Sequence, residues 1–130
     1  PYGELYAVQR LSPLVTLEQY GADGWLHVDG VTTEQRSAAL EGLARVSEAM
    51  CSGEYDIVVA DEINVALAYG VLTEEEVLEL VDDRPPQVEL VLTGRQASPA
   101  ILGRADLVTE MHEVRHPYQE GVAARRGIEF

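Results

Sequence analysis

The sequence predicts an α/β domain with a largely parallel sheet, because helical and strand patterns alternate along the chain. A short apolar run rich in β-branched residues, 55–60, is followed by a helix pattern and then by a second apolar run, 88–92. An amphipathic helix pattern precedes the first run. No repeat, low-complexity tract or linker interrupts this order, so residues 1–130 are predicted to form one α/β domain.

The first half of the chain contains two predicted strands and one long helix. Residues 14–20 alternate well enough for a strand, and a Gly-containing loop, 21–32, follows. Thr32 or Thr33 can cap the helix, which should stop at Ser52-Gly53. Its apolar positions have three- and four-residue spacing: Leu40, Leu43, Val46 and Met50. The run 55–60 has apolar residues on both faces of the predicted strand, which is typical of a central parallel strand covered on both sides.

The second half begins with a capping box. Thr73 and Glu76 have the required spacing, and Arg84-Pro85-Pro86 should end the helix. Its predicted buried stripe consists of Val77, Leu78 and Val81. After the strand 88–92, Ser98 should cap a further helix with Pro99 at its first position. Residues 106–111 are predicted to form a strand, and residues 121–125 a short helix.

Composition excludes several classes of function. The 130 residues include 23 Asp and Glu against 9 basic residues, a formal charge of -14, which argues against a nucleic-acid partner. A single cysteine, Cys51, excludes an internal disulfide framework and suits a cytoplasmic protein. No apolar run is long enough for a membrane span. The chain begins at Pro1 without an initiator methionine, which indicates a fragment or a processed product.

An acidic pair follows the first apolar run. In the stretch YDIVVADEIN, residues 55–64, a buried strand is predicted to deliver Asp61 and Glu62 to the carboxyl edge of the sheet, where parallel α/β folds bind ligands. An apolar strand ending in Asp-Glu is typical of a Walker B element, whose carboxylate holds hydrated Mg²⁺ on nucleotide phosphates. The alternative is that Asp61 caps the next turn and Glu62 is only solvated.

The second strand ends in Thr93-Gly94-Arg95, which offers a hydroxyl, an exposed amide and a guanidinium for phosphate oxygens. Alternatively, these residues are a turn glycine and a surface arginine. Trp25 and His27 lie in the loop before the long helix, where a packing anchor and a solvated histidine are the simpler interpretations. No serine or cysteine nucleophile with a recognisable base is present in the sequence pattern.

Four segments, in order and spacing, carry a resemblance to a known family. They are YDIVVADEINVALAYGVL, RPPQVELVLTGR, ADLVTEMHEVRHPYQEGV and RRGIEF. The chain resembles the ATP:corrinoid adenosyltransferases, also called cob(I)alamin adenosyltransferases, over nearly its whole length. The resemblance implies a P-loop NTPase-like fold, and transfer of the 5'-deoxyadenosyl group of ATP to the cobalt of cobalamin or a related corrinoid, with release of triphosphate.

The resemblance also implies roles for named residues. Asp61 and Glu62 correspond to a catalytic pair that handles Mg²⁺, and Asn64 lies in the same motif as a group toward the nucleotide. Thr93, Gly94 and Arg95 correspond to groups that face its phosphates. Family members use aromatic residues in the loop before the long helix to displace the lower cobalt ligand; here GADGWLHVDG departs from that pattern, with Trp25 and His27 as the nearest candidates.

One family feature is absent from these residues. The family opens with a strand, a Gly-rich phosphate-binding loop and a helix, and no GxxxxGKS or GxxxxGKT stands in the sequence. The alternatives are therefore a truncated transferase, a paralogue that binds a corrinoid or a partner without transfer, or another ATPase or kinase. Loss of these elements leaves an open sheet edge, which predicts a homodimer or other self-association. A reductase that delivers cob(I)alamin is the further expected partner.

Overall fold

The computed structural model describes residues 3–21 and 30–125. Within them, five helices and two strands follow in the order α1 (Gly3–Gln9), α2 (Thr33–Cys51), β1 (Ile57–Ala60), α3 (Ile63–Ala68), α4 (Glu74–Asp82), β2 (Glu89–Leu92) and α5 (Pro99–Arg104). A 3₁₀ turn spans Pro117–Glu120. None of these described helices is long and apolar enough to cross a membrane.

The chain divides into two compact units, one of residues 1–19 with 109–130 and the other of residues 20–108. The first contains α1 and the 3₁₀ turn, and the second contains all the other elements. The prediction of a single domain over residues 1–130 stays a prediction.

The two strands form a parallel pair in the unit 20–108. Ile57 lies opposite Glu89 and Ala60 opposite Leu92, so the carboxyl ends of both strands meet at one edge. The predicted α/β class with a parallel sheet flanked by helices is confirmed in this form. The described residues carry two strands, and the P-loop NTPase-like fold stays a prediction.

The helices begin where local sequence signals place them. Thr32 caps α2 and pairs reciprocally with Gln35, while Thr73 caps α4 and pairs with Glu76. Ser98 accepts from the amide of Ile101 at the start of α5, with proline at the first helical position. These capping predictions are confirmed. Each could be made from the sequence because the cap and its partner are only three positions apart.

Among the described residues, an apolar core lies where α2 packs against β1 and α4, and where α5 packs against α4. Its buried members come from α2, β1, α3, α4, α5 and the connecting turns: Met50, Val58, Ala60, Ile63, Leu72, Val77, Leu80, Val88 and Ile101. Leu90 and Leu92 of β2 are partly buried against them. The predicted α2 stripe is confirmed at Met50, which is buried, and at Leu43 and Val46, which pack against the core, but Leu40 is 38% exposed. In α4, Val77 and Leu80 carry the burial, with Leu78 packed beside them.

The prediction that β1 is covered on both faces is wrong. Val58 and Ala60 are buried, but Ile57 and Val59 are 60% and 53% exposed. Val91, opposite Val59, is also exposed. The strand begins at Ile57, two residues later than the predicted run 55–60, and the chain turns at Asp61 and enters α3.

Two predicted strands do not form. Residues 14–20 and 106–111 lie outside any strand, and their apolar side chains are exposed, with Leu14 at 88% and Met111 at 93%. Alternation favours a strand only when a neighbouring strand accepts its hydrogen bonds, and neither segment has one among the described residues.

The predicted helix at 121–125 is also wrong. Helical backbone occurs earlier, as the 3₁₀ turn Pro117–Glu120, where His116 accepts from the amide of Tyr118. Gly121 is left-handed, with φ of 75°, and the amide of Val122 returns to the carbonyl of Pro117. This closed turn ends the helical stretch before residue 122.

A long-range ion pair ties α2 to α4. Arg36 donates from Nη1 to Glu76 Oε2 at 2.8 Å and to the carbonyl oxygen of Val71 at 2.6 Å. The Arg36 hydrogen bond, aided by the amide of Thr73, lowers the pKa of Glu76 to about 2. Glu76 thus serves both the cap of α4 and the packing of two helices.

This ion pair predicts a pH dependence of stability. Because folding lowers the pKa of Glu76 from 4.5 to about 2, its contribution is present above about pH 4.5 and is lost as the pH falls through about 2. Glu76→Gln should therefore flatten the fall in unfolding free energy between pH 5 and pH 2, measured by chemical denaturation. Glu75→Gln, on the exposed side of the same turn, should keep the wild-type slope. An equal slope in Glu76→Gln would contradict the assignment.

Candidate functional site

The ends of β1 and β2 bring most of the predicted site residues together. Since Ala60 lies opposite Leu92, Asp61 and Thr93 are the first residues beyond the paired strands. The amide of Thr93 donates to the carbonyl oxygen of Ala60 at 3.2 Å, which continues the ladder by one bond. The two motifs that sequence analysis placed at strand ends are therefore adjacent.

Thr93 makes four hydrogen bonds across this edge. Its hydroxyl donates to Asp61 Oδ1 at 2.6 Å and accepts from the amide of Glu62 at 2.9 Å. Its carbonyl oxygen accepts from the amide of Asn64 at 3.1 Å. Together with the bond to Ala60, Thr93 bonds to four of the five residues 60–64, and the fifth, Ile63, is buried.

Glu62 holds an uncommon backbone conformation. It is left-handed, with φ of 60° and ψ of 17°, and stands at the N-cap position of α3 without a side-chain cap bond. A residue with a Cβ atom adopts this conformation at an energetic cost, and such strain occurs often at functional sites. Both Asp61 and Glu62 are exposed, so the turn presents two adjacent carboxylates to solvent.

Asn64 lies beneath this turn and is 5% exposed. Its Oδ1 has no hydrogen-bond partner within the described part of the chain. Gly94 packs directly against it: a Cβ atom added at Gly94 would lie 3.1 Å from Asn64 Cβ and 3.1 Å from the amide nitrogen of Val65. Gly94 also has φ of +122°, which side chains rarely adopt. The chain just after β2 approaches α3 so closely that glycine is required here.

Arg95 lies on the flank of α3. It lines a shallow hollow with four other residues: Val65, Ala68, Tyr69 and Gln96. Arg95 is exposed, and no ion pair joins it to Asp61 or Glu62 among the described contacts. The structure thus brings Asp61, Glu62, Asn64, Thr93 and Gly94 into contact and puts Arg95 beside the hollow.

The remaining predicted residues lie elsewhere. Trp25 and His27 fall outside the described residues. Within residues 3–21 and 30–125, no three His, Cys, Asp or Glu side chains cluster to hold a metal ion. Two carboxylates are enough for Mg²⁺, because this ion keeps several waters and takes other oxygens from phosphates.

The whole chain, residues 1–130, matches the family model described as ATP:corrinoid adenosyltransferase BtuR/CobO/CobP. The chain belongs to this family. The description of this family names ATP and a corrinoid as the substrates. The resemblance carried by the four sequence segments is confirmed.

Three relatives share this family likeness. A corrinoid adenosyltransferase of Pseudomonas aeruginosa is 38% identical over 84 residues, covering 65% of this chain and 41% of that protein. That of Escherichia coli K12 is 32% identical over 120 residues, covering 88% of this chain and 61% of that protein. The corrinoid adenosyltransferase CobA of Salmonella typhimurium is 30% identical over 120 residues, with the same coverage. The chain thus spans between about two fifths and three fifths of these relatives.

Two residues beside the strand ends were not predicted from the sequence. Tyr69 and Gln96 line the hollow, and Gln96 has φ of 62°. Tyr69 lies within the segment YDIVVADEINVALAYGVL, and its place in that family segment is the one signal the sequence offers for it. The hydrogen bond from Thr93 to Asp61 spans 32 residues and had no local signal.

Proposed function

We propose that this chain forms one side of the nucleotide site of an ATP:corrinoid adenosyltransferase. The reaction is transfer of the 5'-deoxyadenosyl group of ATP to the cobalt of cobalamin or a related corrinoid. The observation that carries the proposal is the Thr93 network, which holds Asp61 and Glu62 at the carboxyl edge of a parallel strand pair, where ligands bind in α/β folds. Membership of the family supports it.

The chemistry needs no nucleophile from the protein. The electron pair of the reduced cobalt forms the Co–C5' bond, the C5'–O bond breaks, and triphosphate leaves with that oxygen. The protein has to position the two substrates and neutralise the charge of the leaving group. This requirement suits an edge that offers carboxylates, amides and an arginine, and it suits a sequence pattern without a serine or cysteine nucleophile.

Asp61 and Glu62 are the residues that would hold Mg²⁺. They fit the ion because both are exposed and adjacent, and because the Thr93 hydroxyl occupies only one lone pair of Asp61, leaving oxygen sites for the ion and its waters. Mg²⁺ would neutralise charge on the triphosphate. Carboxylates alone would repel phosphates, so the pair needs such a cation in this role.

Arg95 is the cation on this edge that we assign to the phosphates, with the exposed backbone at Gly94. All nine basic residues of the chain are arginines, and five have an acid within ion-pair distance: Arg36, Arg45, Arg84, Arg104 and Arg115. Arg95 has no such partner among the described ion pairs. Arginine can bind two phosphate oxygens at once, which favours this assignment. Trp25 and His27 are proposed for the corrinoid.

The test is a stoichiometric assay of the protein encoded by the complete reading frame containing this chain. With ATP, Mg²⁺ and chemically reduced cob(I)alamin, we expect one triphosphate for each adenosylated corrinoid, measured by visible absorbance and chromatography. Corrinoid binding without triphosphate release would favour the non-transferring paralogue. ATP hydrolysis to ADP that ignores the corrinoid would indicate an ATPase or kinase.

The assembly and setting of the protein belong to the same proposal. We propose a cytoplasmic homodimer that receives cob(I)alamin from a reductase. The exposed apolar row of Ile57, Val59 and Val91 supports self-association, because parallel strands are usually covered on both faces.

A further inference from the structure

We infer that Thr93 is a positioning residue whose hydroxyl holds the Asp61-Glu62 turn, and that this hydroxyl does not itself bind a phosphate. The family resemblance groups Thr93 with the residues that face the nucleotide phosphates. The inference deepens the proposed function and rests on it only in naming Mg²⁺ as the ion that the two acids bind. The geometry of the turn supports the rest.

The Thr93 hydroxyl already makes two hydrogen bonds, one as donor and one as acceptor. A threonine hydroxyl has one proton to donate, and here that proton points to Asp61 Oδ1 at 2.6 Å. One of its lone pairs accepts from the amide of Glu62 at 2.9 Å. A phosphate oxygen is an acceptor, so it would have to compete with Asp61 for the only proton. The short distance to Asp61 is typical of a strong hydrogen bond to a charged acceptor, and a phosphate would have to displace it.

The same two bonds explain how Glu62 keeps its left-handed backbone. That conformation is unfavourable for a residue with a Cβ atom, and Glu62 is exposed, so packing does not impose it. The bond from its amide to Thr93 Oγ1 fixes the Glu62 peptide. The Thr93 carbonyl oxygen accepts from the Asn64 amide, the kind of bond that a side-chain cap on Glu62 would otherwise supply. The Asp61 carboxylate and the Glu62 amide are thus both bonded to Thr93 Oγ1.

The backbone of Thr93 acts independently of its hydroxyl. Its amide bonds to Ala60 and its carbonyl bonds to Asn64, so both flanks of the turn stay attached when the hydroxyl is removed. Thr93→Val removes the hydroxyl while keeping the shape and the β-branch. Thr93→Ser keeps the hydroxyl. This pair of variants distinguishes the effect of the Thr93 hydroxyl on the turn from the effect of the Thr93 backbone bonds.

The first test uses the protein without ligands and measures amide hydrogen exchange by NMR. In Thr93→Val we expect the Glu62 amide to exchange about fivefold faster, the effect of losing one hydrogen bond, while the Asn64 amide keeps its rate. Thr93→Ser should match the wild type at both amides. An unchanged Glu62 rate in Thr93→Val would overturn the inference. Faster exchange at both amides would also overturn it, because Thr93 would then hold the whole edge.

The second test separates metal positioning from phosphate binding in the transfer assay. We expect Thr93→Val to raise the half-saturating Mg²⁺ concentration about tenfold, the effect of losing a partner that orients a metal ligand. The KM for ATP at saturating Mg²⁺ should stay near wild type, and Thr93→Ser should restore the Mg²⁺ requirement. A raised KM for ATP with an unchanged Mg²⁺ requirement would overturn the inference. If the wild type transfers nothing, the proposed function fails, and the exchange test still decides the role of Thr93.

Discussion

Replacing Glu62 by Gln should lower the rate of adenosyl transfer about a hundredfold, the scale expected when a group acting on transition-state charge is lost. Glu62 and Asp61 are exposed carboxylates on a turn that Thr93 holds in place. The substitution keeps the size of the side chain and the backbone bond to Thr93. The free energy of unfolding should therefore change little. The rate of adenosylcobalamin formation across a Mg²⁺ titration measures the effect.

A matched control exists on another helix. Glu75 lies exposed in the first turn of α4, and Glu75→Gln makes the same chemical change away from the strand ends. We expect Glu75→Gln to transfer at the wild-type rate. Equal rates in Glu62→Gln and the wild type at every Mg²⁺ concentration would remove Glu62 from the catalytic assignment.

Gly94→Ala should combine a large loss of stability with a loss of activity. A side chain at φ of +122° is strained, and the added methyl would lie 3.1 Å from both Asn64 Cβ and the amide nitrogen of Val65. We expect a cost of about 1–3 kcal/mol from the backbone strain alone. Because the methyl pushes on α3, the acidic turn should shift as well. Chemical denaturation and the transfer assay measure the two effects.

Gly103→Ala is the control for this prediction. Gly103 lies inside α5, and a Cβ atom there would meet nothing within 4 Å. Replacing an exposed helical glycine by alanine should increase stability by about 0.5–1 kcal/mol and leave transfer unchanged. If Gly94→Ala were as stable as the wild type, the close approach of β2 to α3 would not need glycine.

The parts of the fold that depend on neighbouring residues could be predicted from the sequence. Thr32, Thr73 and Ser98 each accept a hydrogen bond from an amide three positions ahead, so the amino-acid sequence alone locates the starts of α2, α4 and α5. The paired strands were found because their apolar residues fill the core on one face. The other face is exposed, and burial on both sides was the wrong inference from the same letters.

The parts that depend on distant residues could not be predicted. Residues 14–20 and 106–111 have the alternation of strands, but a strand needs a partner, and the letters of a segment do not say whether one is present. The left-handed backbone of Glu62 is accompanied by a bond from its amide to Thr93, 31 residues away. The acids were predicted from the motif and the family resemblance, whereas the way they are held was visible only in three dimensions.

The most direct measurement of the proposed site is paramagnetic NMR with Mn²⁺ replacing Mg²⁺ in the presence of ATP. We predict that amide signals at the carboxyl ends of the strands, from Asp61, Glu62 and Gly94, broaden first as Mn²⁺ is added. Signals from Asp56 and Glu89, at the opposite ends of the same strands, should broaden later. Earlier broadening at Asp56 and Glu89, or none at the acidic turn, would contradict a nucleotide and metal site at Asp61 and Glu62.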